Sequence, residues 1–145
     1  METLLVSACL LGVSCKYSGG DNCLPESALK PLRERYRLIP VCPETAGGLP
    51  TPRAPSERLG TRVVSDQGLD VTEAFKNGAK TATDLANKYS CKMALMKENS
   101  PSCGSGTIYD GSFSGRLVPG DGVTAEALKA LGLNVFGESQ TASLL

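Results

Sequence analysis

The feature that most constrains this chain is its alternation of short apolar runs with helical patterns, each run ending in a loop rich in turn residues. Thr3 to Ala8 is an apolar run broken only by Ser7 and suits a buried first strand, while Leu11 to Asn22 reads as a loop through Gly12, Gly19, Gly20 and Asp21. Pro25 to Tyr36 sets Leu29 and Leu32 among charged residues and predicts a helix, whose start Pro31 blurs; Arg37 to Val41 is a second strand. Pro50, Pro52 and Pro55 with Gly47, Gly48 and Gly60 argue against regular structure from Thr45 to Gly60, and Arg62 to Ser65 reads as a short edge strand. Asp70-Val71-Thr72-Glu73 has the form of a capping box, after which Val71, Phe75, Ala79, Ala82, Leu85, Ala86 and Tyr89 recur at helical spacing. Cys91 to Met96 is a third strong strand. Lys97 to Gly106 is a loop, the glycines from Gly111 to Gly122 imply turns or a hairpin, and a capped helix from Thr124 to Leu131 precedes a last strand from Leu133 to Phe136.

Strands alternating with helices predict an α/β fold: a single-domain three-layer sandwich on a mostly parallel sheet, spanning residues 1–145. Cys9, Cys42 and Cys103 each lie in a loop after a predicted strand. In open α/β sheets the carboxyl ends of the strands share one edge, where ligands bind. Three thiols far apart in sequence are therefore expected to converge.

Composition narrows the chemistry. The chain has 145 residues, 15 basic and 15 acidic side chains, 6 cysteines and no histidine. Without histidine there is no Ser-His-Asp or Cys-His catalysis, no two-His zinc helix and no haem imidazole. A formal charge of zero gives no global field toward nucleic acid or an anionic membrane. The apolar start lacks a basic region ahead of it, and no stretch reaches the roughly 18 apolar residues of a membrane span. We therefore expect a soluble, cytoplasmic monomer with no membrane or nucleic-acid partner. At this length the chain can bury a core without disulfides, and in a reducing compartment its thiols are free, catalytic or metal-bound. No Cys-x-x-Cys occurs, which disfavours zinc ribbons and thioredoxin-like pairs.

Three converging thiolates without imidazole form a soft ligand set suited to an iron–sulfur cluster, Cu(I) or zinc. For a four-iron cluster the set is one ligand short, which would leave one iron as an open Lewis-acid site. The bland alternative is that the cysteines are small buried hydrophobes, and Cys23 and Cys91 are read that way. Cys15, in the same loop as Cys9, is a possible fourth ligand, a spare thiol or a packing residue. Glu44, two residues past Cys42, is a candidate acid or base, or else a cap within its loop. Ser100 and Ser102, flanking Pro101 ahead of Cys103, can orient a water or a carbonyl, or merely end turns. The glycines near Cys103 and Gly47-Gly48 are candidates for an anion nest, and Lys16, Arg53 and Arg58 for binding a polar substrate.

The blocks from Val6 to Gly19, from Pro40 to Glu44 with Gly47 to Arg53, and from Lys97 to Gly106 resemble a small bacterial family of thiouracil desulfidases. The pieces Asp70-Val71-Thr72, Tyr109 to Gly115 and Gly122-Val123-Thr124 fit it too, so the likeness covers nearly the whole chain. The resemblance implies a [4Fe-4S] cluster held by Cys9, Cys42 and Cys103, with one iron open to the sulfur of a thiolated pyrimidine. It also implies catalytic roles for Glu44 and Ser100, with Ser102 as rival for the hydroxyl. The implied reaction is a non-redox desulfuration of 2-thiouracil, or a related thiopyrimidine, to uracil and hydrosulfide. Alternatives from other classes are a cluster- or thiol-based redox sensor using Cys9 and Cys15, and a zinc-structured binding module. A desulfidase for 4-thiouridine-type nucleosides or nucleotides is a further variant.

Overall fold

The computed structural model describes residues 1–145. Its sheet has four strands: β1 (Glu2–Ser7), β2 (Tyr36–Val41), β5 (Met93–Met96) and β8 (Asn134–Gly137). They lie in the order β2-β1-β5-β8, and every pair is parallel. Pro40, which lacks a backbone donor, is tolerated because β2 is an edge strand.

Alternate residues of these strands feed two cores, as the period of two requires. Leu5, Ile39, Val41, Ala94 and Met96 pack with Ala82 and Ala86 of α3 (Thr72–Lys88) and Leu128 of α4 (Val123–Ala130). On the other face Leu4, Val6 and Leu95 meet Leu32 of α1 (Glu26–Arg35) and Leu144 of a C-terminal 3-10 segment, Glu138–Leu144. Leu4, Leu5, Val6 and Leu95 are fully buried, and each such side chain contributes roughly 1.5–3 kcal/mol. The three layers follow, as the alternation predicted.

Strand order sets the functional geometry. The chain leaves β1 through α1 to β2 on one side, then returns through α3 to β5 on the other. The gap between β1 and β5 is thus the topological switch point, where the connections part to opposite faces and a crevice opens. In the register, Ser7 pairs with Val41 and Val6 with Leu95. The three strand ends are level, and the loops that follow them start together.

Several local expectations change. The turn-rich stretch after Thr45 is not wholly irregular: Ser56–Leu59 forms β3, pairing antiparallel with β4 (Arg62–Ser65) across Gly60-Thr61. The prolines end at Pro55, so nothing stops the next four residues from pairing. A short helix, α2 (Pro43–Ala46), follows β2 at once, with Pro43 at its first position. The capping box is not formed. Helix α3 starts at Thr72, whose N–H donates to Asp70 Oδ1 at 2.9 Å, while the Glu73 side chain turns to Lys76. A second hairpin, β6 (Thr107–Tyr109) with β7 (Leu117–Pro119), fills the glycine-rich stretch. Helix α1 runs unbroken through Pro31.

Candidate functional site

Cys9 sits in a 3-10 turn, Ala8–Leu11, that leaves β1 and ends at Gly12 in the left-handed conformation, φ 94°. The loop beyond folds back over it, with the Asn22 N–H donating to the Cys9 carbonyl at 3.0 Å and the Leu24 N–H to that of Leu10 at 2.9 Å. Cys42 occupies the N-cap position of α2. Its carbonyl accepts the Ala46 N–H at 2.9 Å and the Thr45 hydroxyl at 3.2 Å.

Cys103 is carried by the longer loop after β5. Ser100 Oγ accepts the N–H groups of Ser102 and Cys103 at 3.1 and 3.0 Å, which bends the loop around Cys103. The N-terminus of α4 docks onto the same loop. The Val123 N–H donates to Pro101, and those of Thr124 and Ala125 to Ser102, which accounts for N–H groups that a helix start leaves without partners.

The three loops enclose one cleft of about 550 Å³, whose wall includes Cys9, Cys15, Cys42, Cys103, Glu44 and Ser100. The strand-end expectation for the three thiols is thereby met, and both suggested catalytic groups face the same space. Cys91 is buried in the core, as expected of a structural cysteine, whereas Cys23 lies outside the cleft but is exposed and is not the buried packing residue expected. Ser102 does not reach the cleft. It is fully buried, and its hydroxyl is 2.8 Å from that of Thr124, so it serves packing.

The thiols are held in a desolvated environment. Burial pushes Cys103 up to about 12, with the nearby Glu44, Cys9 and Cys42 adding to the rise and the Ser7 hydroxyl opposing it. Burial likewise raises Cys9, against a hydrogen bond from Asn22. Cys15 is pushed up to about 12 by burial and by the adjoining Cys42, its hydrogen-bond partner. The neighbour of Cys15 is thus Cys42 more than the expected Cys9. Bare, the thiols of Cys9, Cys15 and Cys103 stay protonated, and a cationic iron centre is what would turn its ligands into thiolates, with release of protons. No three Cys, Asp or Glu side chains are close enough to hold one metal ion. Thiolates that each bind a different iron of a cluster stand further apart than ligands of a single ion, so this donor set fits a cluster better than zinc.

Glu44 projects from the first turn of α2. Burial raises its carboxyl above the usual range, and the Arg53 guanidinium pulls it back. Arg53 Nε lies 3.4 Å from Glu44 Oε1, and the two side chains are 6% and 20% exposed. The same guanidinium donates to the carbonyls of Cys15 at 2.9 Å and Pro50 at 3.2 Å and to the Thr51 hydroxyl at 3.0 Å. Arg53 therefore braces the site with four of its five N–H donors. Arg58 is also structural, donating to the carbonyls of Gly60 and Asp121. Lys16 does line the cleft.

The anion nest is not realised. The Gly47 and Gly48 N–H groups donate to Pro43 and Thr45, and those of Gly104 and Gly106 to Ser100 and Asp121. Gly47 and Gly78 serve close approach instead: a Cβ on Gly47 would lie 1.9 Å from the Ala74 carbonyl oxygen, and one on Gly78 1.8 Å from that of Pro43. Sequence reasoning missed Asn22, Ser7 and Glu57 around the cleft. A glycine inside the helical stripe of α3 was the available signal for the close approach, since glycine there costs about 1 kcal/mol relative to alanine.

Comparison with known proteins agrees with this fold. A Bacillus subtilis (strain 168) protein described as uncharacterized, YbbK, is 38% identical over 152 aligned positions, covering 98% of this chain and 99% of its own. A solved structure described as the [4Fe-4S]-dependent thiouracil desulfidase TudS is similar at a TM-score of 0.95 and 46% identity, over 99% of this chain and 95% of that one. With residues 4–140 matching the family described as 2-thiouracil desulfurase, the chain belongs to that family.

Proposed function

We propose that this protein is a [4Fe-4S]-dependent desulfidase that converts a thiolated pyrimidine, 2-thiouracil or a close relative, to uracil and hydrosulfide. The observation that carries the reading is the convergence of Cys9, Cys42 and Cys103 with Glu44 and Ser100 in one cleft at the sheet's switch point. Kinship with the 2-thiouracil desulfurases and likeness to TudS support it. Cys9, Cys42 and Cys103 would hold the cluster. When bound by three thiolates, such a cluster supplies one iron with a free position, a Lewis acid toward a thiocarbonyl sulfur.

The rest of the chemistry falls to the chain. Glu44, partly desolvated and held by Arg53, takes a proton from a water that attacks the carbon bearing sulfur. Ser100 accepts two backbone N–H bonds, so its own proton is available to orient that water or the ring. Water adds, the carbon–sulfur bond breaks, one of the water's two protons leaves with sulfur as hydrosulfide, and the other is released to solvent as the carbonyl forms. Carbon exchanges sulfur for oxygen without any net electron transfer. A cluster of this kind suits a reducing cytoplasm.

Single Ser replacements of Cys9, Cys42 and Cys103 should each remove the brown cluster absorption of anaerobically purified protein and sulfide release with it. Cys23→Ser and Cys91→Ser should keep both. A full cluster in Cys42→Ser would refute the ligand assignment, and loss of the cluster in Cys15→Ser would make Cys15 a fourth ligand and close the open iron.

A further inference from the structure

The chain has four tyrosines, three phenylalanines and no tryptophan. Tyr17, Tyr109 and Phe113 all line the same cleft. Phe113 is the unusual one: it is 38% exposed, and its φ of 57° places a bulky residue in the left-handed region. That conformation costs free energy and persists only where its surroundings impose it.

Glu57 of β3 imposes it. This carboxylate is buried at 9% exposure, and its Oε1 accepts the N–H of Gly111 at 3.0 Å and that of Phe113 at 3.1 Å. Asp110 Oδ1 takes the intervening N–H, from Ser112, at 2.9 Å. Gly111 presses against β3, where an added Cβ would come within 3.2 Å of the Arg58 carbonyl oxygen. A buried carboxylate is thus committed to holding a surface loop whose product is an exposed aromatic ring on the cleft wall. Core packing does not call for such a ring, since Phe113 belongs to neither hydrophobic core.

We infer that Phe113, presented by the loop that Glu57 holds between β6 and β7, is a specificity-determining residue that stacks on the planar pyrimidine ring. This rests on the thiopyrimidine reading of the cleft. A flat π-system gains from offset contact with a fixed aromatic face, whereas a saturated ring of the same outline does not. The site would then select substrates by ring planarity, separately from the sulfur that reacts.

Calorimetric binding of uracil and of dihydrouracil to the cluster-loaded protein tests this, because dihydrouracil keeps the hydrogen-bonding edge but has a puckered, saturated ring. Wild type should bind uracil about tenfold more tightly than dihydrouracil, the scale of one base stacked on an aromatic side chain. Phe113→Leu should abolish that preference by weakening uracil alone, with cluster absorption unchanged, and Phe113→Tyr should keep it. Glu57→Ala should resemble Phe113→Leu, because the ring is then no longer held in place. A Phe113→Leu protein that retains the preference, or that weakens both ligands equally, overturns the inference. Sulfide release from 2-thiouracil, read in parallel, separates the two readings. Release by a wild type that shows no ring preference overturns the stacking role alone, whereas neither release nor uracil binding overturns the desulfidase reading with it.

Discussion

Glu44 and Ser102 show how two polar residues near the same cleft divide between chemistry and packing. Glu44 keeps one face to the cleft and the other to Arg53, so replacing it with Gln preserves shape while removing the proton acceptor. A positioned acid or base contributes about 100-fold to 10,000-fold, and Glu44→Gln should lose turnover on that scale while its cluster absorption stays at the wild-type level. Single-turnover sulfide release normalised to iron is the measurement, and a loss within about threefold would return Glu44 to a structural role. Ser102→Ala should do the opposite. It leaves the buried Thr124 hydroxyl without its partner at 2.8 Å, a cost of about 1–3 kcal/mol. Its melting temperature should fall by roughly 2–12 °C in a chain of this size, with turnover per iron unchanged.

Between elements, the decisive contact is that of α2 with α3, because α2 carries Cys42 and Glu44. Gly78 lets α3 pass so close that a methyl group would meet the Pro43 carbonyl at 1.8 Å, and backbone cannot yield as a side chain does. In an exposed helix Gly→Ala stabilises by about 1 kcal/mol. Gly78→Ala should instead destabilise by about 1–3 kcal/mol through overpacking and lower iron content as it displaces Cys42, while Asn77→Ala, one residue away and exposed, should do neither. Thermal melts and iron analysis of the two variants decide this. The same element shows what the sequence could convey. The stripe from Phe75 to Ala86 announced α3, and the apolar runs announced all four sheet strands, because periodicity records which face is buried. The strand-end placement of Cys9, Cys42 and Cys103 followed from parallel topology alone. Arg53 as the brace of Glu44, Glu57 as the support of Phe113, and β3 as the partner of the expected strand β4 were not legible, because they depend on contacts between aperiodic loops that meet only after the sheet has formed.

At the scale of the molecule, the cleft is a junction of segments with little else in common. Its walls come from the loops after β1, β2 and β5 and from both hairpins, and the floor of the β5 loop is tied to the C-terminal segment. Glu98 accepts the Ser139 N–H at 2.9 Å, and Lys97 Nζ lies 2.8 Å from Glu138 Oε2. The sheet beneath is stabilised by burial on both faces, whereas the loops above it are joined chiefly by hydrogen bonds and by the desolvated thiols. A ligand gripping all three thiols cross-links three distant stretches of chain and so stabilises the loops more than the sheet. Binding to the folded state alone adds about 2.7 kcal/mol for a ligand at a hundred times its dissociation constant. Anaerobic removal of the cluster with a chelator should therefore lower the melting temperature by roughly 5–10 °C. Amide exchange should rise in residues 8–24 and 97–106 while Leu4, Leu5 and Leu95 stay protected, as expected when local stability differs between loops and core. Equal loss of protection in the strands would mean that the cluster supports the whole fold and not only the cleft.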